Sequence, residues 1–589
     1  MKNVDSNCVY EFGVFSVLLD ERRLLFDGKQ VALTPKAFDI LLILIQHSGH
    51  VLEKKEIMDQ IWPDTFVEEA TLAQNIFILR KALGENTIGV QYIETIPKRG
   101  YRFVGEVKKS YLEPSKPQAH TPTDFSSIAI LPFDSLLTGS NDEYLGLGLA
   151  DALIIKLGNI RQIVVRPTRA VRKYIICDSD PIATGKELAV DLVLTGSIQM
   201  FGNKIRVTVH LIRVNDSTTL WSEKFDETFE DILSVQDSIS EQIIKILTLK
   251  LTAQEKERVT TNYTNDSEAY LAYLKGRFYW GKWTREGFEK GVVFFQQAVK
   301  MDPDFALAHA AIADAYNTLS FYGYLAPKSA FLTVNHAALQ AIQTAPNSAE
   351  AHVALAINNF AFTWDWAVAE REFLRAIEIN PSNPAFYHSF ASFLLAMGRA
   401  SEATDNLKIA LKLDPLSPLI NTSMAYPFFF SRQYDQAINE LQAAINLEPH
   451  FPLSYKVLGD SYTEKGMYEE ANAAYKKGID LTGAHPIQLA YLGRSLALSG
   501  KRQEAIKIVH QLKITSNSSY VSSTSFAVIY AGLGEVEQAM DSLEESYRER
   551  CNNLVFINVQ PAFDNLRSIS RFTDLIQRMG FVSAPLDAS

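Results

Sequence analysis

Cysteine is nearly absent. Cys8, Cys177 and Cys551 are spread over 589 positions. They are too few and too far apart for a disulfide framework or a thiolate zinc site, and they point to a reducing interior. Long apolar runs are also missing. The greasiest stretch, residues 40–45, is bounded by Asp39 and Gln46, far short of the roughly 20 residues that span a bilayer. The start, MKNVDSNCVYEFG, has no basic end followed by an apolar run, so no signal peptide is expected. HExxH, GxSxG and Walker-type loops do not occur, and the 11 histidines are scattered. Even His47 and His50, three apart, flank a Ser-Gly helix end. We therefore expect no catalytic, cofactor or metal site, and a cytoplasmic protein with no membrane partner. A surplus of positive charge is lacking too: the formal net charge is -11, which excludes a uniformly basic nucleic-acid coat but not a local patch.

Against these absences, residues 69–104 stand out. Leu72, Ile76, Leu79 and Leu83 recur at steps of four, three and four, which makes one apolar stripe on a helix. At about 100° per residue, Ala70, Thr71, Gln74, Phe77, Ile78 and Lys81 point away from it. Gly84 supplies a helix stop. Residues 92–96 and 101–104 are rich in aromatic and β-branched side chains, and Pro97-Lys98-Arg99-Gly100 between them carries turn chemistry. A helix beside a cation-tipped hairpin is the layout of a groove-reading helix with a phosphate-gripping wing. The candidate contacts to double-stranded DNA are Thr71, Gln74, Asn75, Phe77, Ile78, Arg80 and Lys81 on the helix, and Lys98, Arg99 and Arg102 on the hairpin. Residues 1–109 hold 14 Lys/Arg against 15 Asp/Glu. Residues 97–109, however, hold five cations (Lys98, Arg99, Arg102, Lys108, Lys109) against Glu106 alone, and phosphates explain that excess better than an ordinary solvated surface.

Upstream, residues 9–19, 23–26 and 30–33 alternate as short strands. Thr34-Pro35 then opens a helix that carries Phe38, Leu41, Leu42 and Ile45 inward. A second helix over 54–62 buries Ile57, Met58 and Ile61. Sheet, three helices and hairpin resemble the winged-helix effector domain of bacterial response regulators of the OmpR/PhoB type. The residues that carry the likeness are Leu33-Thr34-Pro35-Lys36, Ile61-Trp62, Leu79-Arg80-Lys81-Ala82-Leu83 and Arg99-Gly100-Tyr101-Arg102-Phe103. The resemblance implies DNA binding by residues 1–107. Two features depart from that family: no receiver domain precedes the effector, and Phe77 and Ile78 stand where basic residues are common.

Residues 108–125 hold three prolines and no periodicity, so they read as a linker. From 126 to 252, strands alternate with helices in a compact α/β unit. It resembles the TolB amino-terminal-like (FlgO-like) domain through Ile130-Leu131-Pro132-Phe133, Gly148-Leu149-Ala150-Asp151, Leu194-Thr195-Gly196-Ser197 and Leu220-Trp221-Ser222-Glu223, a likeness that implies no chemistry. Gly146-Leu147-Gly148 lacks the third glycine of a dinucleotide loop, and close helix packing is the better reading. Asp142, Glu143, Asp151 and Glu223 have no spacing that brings a carboxylate pair together.

Beyond residue 266 a period of 34 emerges: Ala391, Ala425, Gly459, Gly493 and Ala527 share it, as do Ala403, Ala437, Ala471, Ala505 and Ala539, and Pro381, Pro415 and Pro449. The gap from Pro303 to Pro346 is 43, which places an insertion near residues 321–327. Small residues at fixed points let paired helices approach closely, and the pattern resembles about eight tetratricopeptide repeats over 266–553. Residues 554–589 form a cap and tail. The array implies a superhelical groove for a protein or peptide partner, or a surface for homo-oligomers. A carboxylate clamp is not expected there, because Asp460 stands near Lys456 where an Asn is wanted. Phe428-Phe429-Phe430 reads as core. The expected protein is multidomain: a winged helix-turn-helix (α+β), a small α/β domain and an all-α repeat superhelix. It is read as a one-component transcriptional regulator. The competing reading is a repeat scaffold whose winged helix does not act in transcription.

Overall fold

The computed structural model describes residues 8–13, 15–18, 23–26, 29–31, 33, 35–61, 69–83, 91–97, 99–105, 107–111, 125–135, 143–175, 180–201, 204–228, 232–247, 249, 251–252, 255–256, 264–282, 284–483 and 485–581. The chain forms two compact units, Met1–Thr121 and Pro122–Ser589.

The first unit opens with β1 (Cys8–Phe12), β2 (Phe15–Leu18), β3 (Arg23–Phe26) and β4 (Lys29–Val31). These pair antiparallel in sequence order. Gly13 turns the chain between β1 and β2 at φ +56°, and a Cβ there would sit 2.1 Å from the Tyr92 hydroxyl, so only glycine fits. Then come α1 (Pro35–Gln46), β5 (Val51–Glu53), α2 (Lys54–Ile61), α3 (Glu69–Ala82), β6 (Ile93–Ile96) and β7 (Gly100–Phe103). Strands β5, β7 and β6 make a second sheet in that order. Gly100 is required at its crowded start, because a Cβ would lie 1.8 Å from the Leu52 carbonyl oxygen. The core joins Phe12, Phe15, Tyr92 and Phe103 to Ile57, Ile61, Leu72, Ile76, Leu79 and Leu83. Phe12 meets Phe103 edge-on at 5.0 Å. Met58 and Leu42 pack against this core only partly buried. The caps expected at Thr34 and Gly84, and Trp62, lie outside the described residues.

One boundary is corrected. Residues Lys108–Tyr111, expected in the linker, form β8, which pairs antiparallel with β1 and makes the first sheet five-stranded. Its sequence KKSY carries no alternating apolar signal. What makes it a strand is the open ladder of β1, a tertiary partner that local sequence does not reveal.

The second unit begins with a sheet layered by helices. Its elements are β9 (Ser127–Ile130), β10 (Asp134–Ser135), α4 (Glu143–Gly158), β11 (Val164–Val165), α5 (Pro181–Glu187), β12 (Leu192–Phe201), β13 (Lys204–Arg213), β14 (Thr219–Thr228) and α6 (Ile232–Ile246). The order is β11-β9-β12-β13-β14, with β10 alongside β12. Strand β9 is parallel to β11 and β12, whereas β12, β13 and β14 run antiparallel as hairpins. A Cβ on Gly146 would lie 1.9 Å from the Phe133 carbonyl oxygen, and one on Gly148 2.9 Å from Leu274. Both glycines serve close packing.

Eight helix pairs follow, from Ser267–Trp280 with Arg285–Met301 to Ser523–Leu533 with Val536–Glu549. The register alanines Ala403, Ala437, Ala471, Ala505 and Ala539 are fully buried. Most of the extra residues of the second pair lengthen its helices, to 16 and 18 residues, Ala306–Phe321 and Pro327–Thr344, against 13 and 14 in the fourth pair, and the rest lengthen the connection between them, 322–326 against 397–399.

Two features of the array go beyond the periodicity. The sheet domain and the first repeats share one hydrophobic core. Arg277 of the first repeat pairs with buried Asp151 at 3.0 Å, and Arg166 donates to the carbonyls of Lys412 and Leu413 at 3.0 and 2.6 Å. In the tail, expected to cap the last repeat, Arg571 and Arg578 pair with Glu537, Asp541 and Glu544. It also reaches back. Asn552 bonds Asn317 and Ser320 of the second repeat, Phe556 stacks on Phe430 at 5.6 Å, Arg432 donates to the Val559 carbonyl and pairs with Asp564, and Trp366 Nε1 donates to the Met579 carbonyl. The tail thereby ties repeats two to five to repeat eight.

Candidate nucleic-acid interface

Helix α3 is fixed by its buried stripe, Leu72, Ile76, Leu79 and Leu83. At its start, Glu69 pairs with Lys54 of α2 at 2.5 Å, and the hydrogen bond to Glu69 raises the Lys54 pKa above its ordinary value. On the opposite side Thr71, Gln74 and Phe77 are exposed. Phe77 is 65% exposed, a large apolar surface to leave in water. Asn75 is half-buried, and its Nδ2 donates to the Thr71 carbonyl at 2.9 Å. Ile78 packs partly against the core and is less outward than the wheel suggested.

Arg80 does something the sequence did not reveal. Its Nε and Nη2 donate to the Ile93 carbonyl at 3.2 and 2.8 Å, and Nη2 also reaches Thr95 Oγ1 at 2.8 Å. Its guanidinium therefore fastens α3 to the β6–β7 hairpin. Arg102 is likewise engaged: it pairs with Glu94 at 2.6 Å, directly opposite in the β6–β7 ladder. That pairing was legible, since a hairpin turning at residues 97–99 sets 94 against 102. Arg99 is exposed at the tip, with its backbone N–H bonded to the Ile96 carbonyl at 3.1 Å. Lys98 and the Lys81 side chain lie outside the described residues. Lys108 and Lys109 stand on β8, opposite Glu11 and Tyr10 of β1, and not on the hairpin that carries Arg99 and Arg102.

The structure thus gathers Thr71, Gln74 and Phe77 on one exposed helix face, sets Arg99 on the adjoining hairpin, and uses Arg80 and Arg102 to hold helix and hairpin in shape. A glutamine can pair with an adenine edge in the major groove, an apolar ring can pack on a thymine methyl, and an exposed arginine can meet a phosphate. The carboxylates Asp151 and Glu223 are far apart in role: Asp151 is buried against Arg277 and Thr168, while Glu223 lies on β14 and accepts from Trp221 Nε1 at 3.1 Å. Among the described residues no group of His, Cys, Asp and Glu could hold a metal ion, and no helix is long and apolar enough to cross a membrane.

Comparison with known proteins adds to this geometry. Residues 28–103 match the family described as transcriptional regulatory protein, C terminal. Residues 124–242 match the second domain of HilA/YgeH-like transcriptional regulators, and 454–485 a tetratricopeptide repeat. The chain therefore joins an OmpR/PhoB-type winged helix, a HilA-like regulator domain and tetratricopeptide repeats. Among individual proteins, the transcriptional regulator HilA of Salmonella typhimurium is 24% identical over 411 residues, 69% of this chain and 71% of its own length. The transcriptional activator CadC of Escherichia coli is 39% identical over 79 residues, 13% of this chain and 15% of its own. A Rhizobium meliloti protein bearing the name of an adenylate cyclase is 27% identical over 228 residues, 38% of this chain and 39% of its own.

Proposed function

We propose that this protein is a cytoplasmic, one-component transcriptional regulator that binds double-stranded DNA through α3 and the β6–β7 hairpin. Thr71, Gln74 and Phe77 face the bases, with Asn75, Ile78 and Lys81 at the margins of that face. Lys98 and Arg99 meet phosphates. Arg80 and Arg102 position the helix and hairpin. The observation that carries this reading is Phe77, 65% exposed in line with Gln74 and Thr71, on a helix braced at its start by Lys54–Glu69 and farther along by Arg80. The DNA-binding domain extends through Tyr111, because β8 completes its first sheet. Repeats and sheet domain act as one body that contacts protein partners. Since the tail ties the array to itself, such partners meet its outer surfaces. The reading assigns no catalytic step to any domain.

A gel shift of the full chain against random genomic fragments tests this. Retarded fragments sharing a sequence, with the preference altered in Gln74→Ala, are expected. No retardation at low salt would leave the scaffold reading in its place.

A further inference from the structure

Between Thr71 and Leu79 helix α3 reads TLAQNIFIL, without a charged side chain. Nearby, Glu69 pairs with Lys54, and Arg80 bonds the Ile93 carbonyl and Thr95. Two of the usual major-groove contacts, a cation on guanine and a carboxylate on cytosine, therefore have no group to make them on this stretch. Asn75 Nδ2 is spent on the Thr71 carbonyl. What the outer face offers is the Gln74 amide, the Thr71 hydroxyl and an apolar surface made by Ala73 and Phe77, all exposed. Ala73 and Phe77 lie four apart and Gln74 and Phe77 three apart, so both are neighbours of the ring on the helix surface. Among the described residues of the first unit, no large apolar side chain is more exposed than Phe77, at 65%. It takes no part in the core, and a ring left in water forgoes the stabilisation of burial.

We propose that Phe77 is a specificity-determining residue that reads the 5-methyl group of a pyrimidine. The preferred DNA then carries thymine, or 5-methylcytosine in its place, where the ring meets the groove. This deepens the DNA-binding reading above and rests on it. The C5-methyl of thymine is the apolar feature of the base edges in the major groove, and a phenyl ring is one of the side chains that packs on it. Uracil keeps the O4 acceptor of thymine and lacks the methyl, so a ring without polar atoms distinguishes the two only by that group. Gln74 can make paired hydrogen bonds to N6 and N7 of an adenine. Side chains three apart on a helix have Cβ atoms roughly 5–6 Å apart, and successive bases along a strand rise by about 3.4 Å. The methyl under Phe77 therefore lies within about two base pairs of the adenine under Gln74.

The test selects preferred duplexes from a random-sequence pool with the full chain, then replaces each thymidine of the selected site in turn by deoxyuridine. At the position under Phe77 the replacement is expected to raise Kd about fourfold, the effect of withdrawing one carbon group from an apolar contact. That position should lie within about two base pairs of the one whose preference Gln74→Ala alters. Cytosine placed there weakens binding, and 5-methylcytosine recovers about the same factor. Phe77→Ala binds the thymidine and deoxyuridine duplexes alike, whereas Phe77→Leu keeps part of the difference. Equal melting temperatures of wild type and variants check that the fold is intact. Selected DNA that tolerates deoxyuridine at every position, or a deoxyuridine penalty that Phe77→Ala leaves whole, overturns the methyl reading and leaves DNA binding in place. A pool from which no duplex is enriched at low salt overturns the DNA-binding reading itself, and the methyl reading with it.

Discussion

Helix α3 and the first helices of the repeats are both short, aromatic-bearing and packed on an apolar stripe, yet they dispose of their rings in opposite ways. On α3, Phe77 stays in water. In the fifth repeat Phe429 and Phe430 are buried, and Phe430 stacks on Phe556 from the tail. The charges differ in the same sense. Arg432 is spent on Val559 and Asp564 within the chain, and Lys456 on Asp460 at 2.6 Å with the Tyr491 ring 3.7 Å away. Near α3, the groups that face outward are those the fold does not use. An exposed ring beside satisfied neighbours points to a ligand, whereas a ring in a long array is most often consumed by the next layer. The lesson is to ask what each side chain already touches before assigning it a partner.

The sharpest break of this comparison lies in the tail. Phe563 is buried against the last repeat, and Phe563→Ala should cost the second unit about 3–5 kcal/mol in urea unfolding while leaving DNA preference unchanged. If the tail were an easily displaced occupant of an open groove, the stability would barely move.

Acid should act on the same body. Burial, and the Arg169 guanidinium near it, push the His388 imidazole down to about 4. The folded state therefore keeps His388 neutral where the unfolded chain takes up a proton, so stability falls as pH drops from the unfolded pKa of about 6.5 toward 4 and is level above. The loss should approach about 2–3 kcal/mol, and His388→Gln should flatten that part of the pH profile. Equal pH profiles for variant and wild type would place the acid sensitivity elsewhere.

Overpacking probes the repeat register. Ala437 has no exposed surface, and Ala437→Phe should destabilise the array by about 1–3 kcal/mol or more. A retained melting temperature would contradict the helix crossing.

On the DNA side the effects are of similar size but confined to one base or one charge. Gln74→Ala should alter preference at a single base position by roughly 1–3 kcal/mol, and a uniform loss across sequences would reduce Gln74 to a positioning role. The smallest effect belongs to Arg99. Arg99→Ala should weaken all sequences alike and lower the salt slope by about one unit. An unchanged slope would move the phosphate contact away from the hairpin tip.

The sequence by itself determined what periodicity carries. Steps of 34 placed the eight helix pairs, and steps of three and four placed the stripe of α3, because burying such a stripe is the only favourable use of it. It also placed the hairpin, through turn residues flanked by β-branched ones. The tertiary structure decided what depends on pairing between distant segments. Lys108–Tyr111 is a strand only because β1 offers an open ladder. The Arg80 guanidinium fastens α3 to the hairpin because the Ile93 carbonyl comes within reach. The sheet domain and the first repeats form one body because Ile128, Leu149, Tyr270 and Leu274 belong to one core. Local pattern reports which face is apolar, but not which partner covers it. Polar atoms, whose bonds are short and directional, take their roles from that partner.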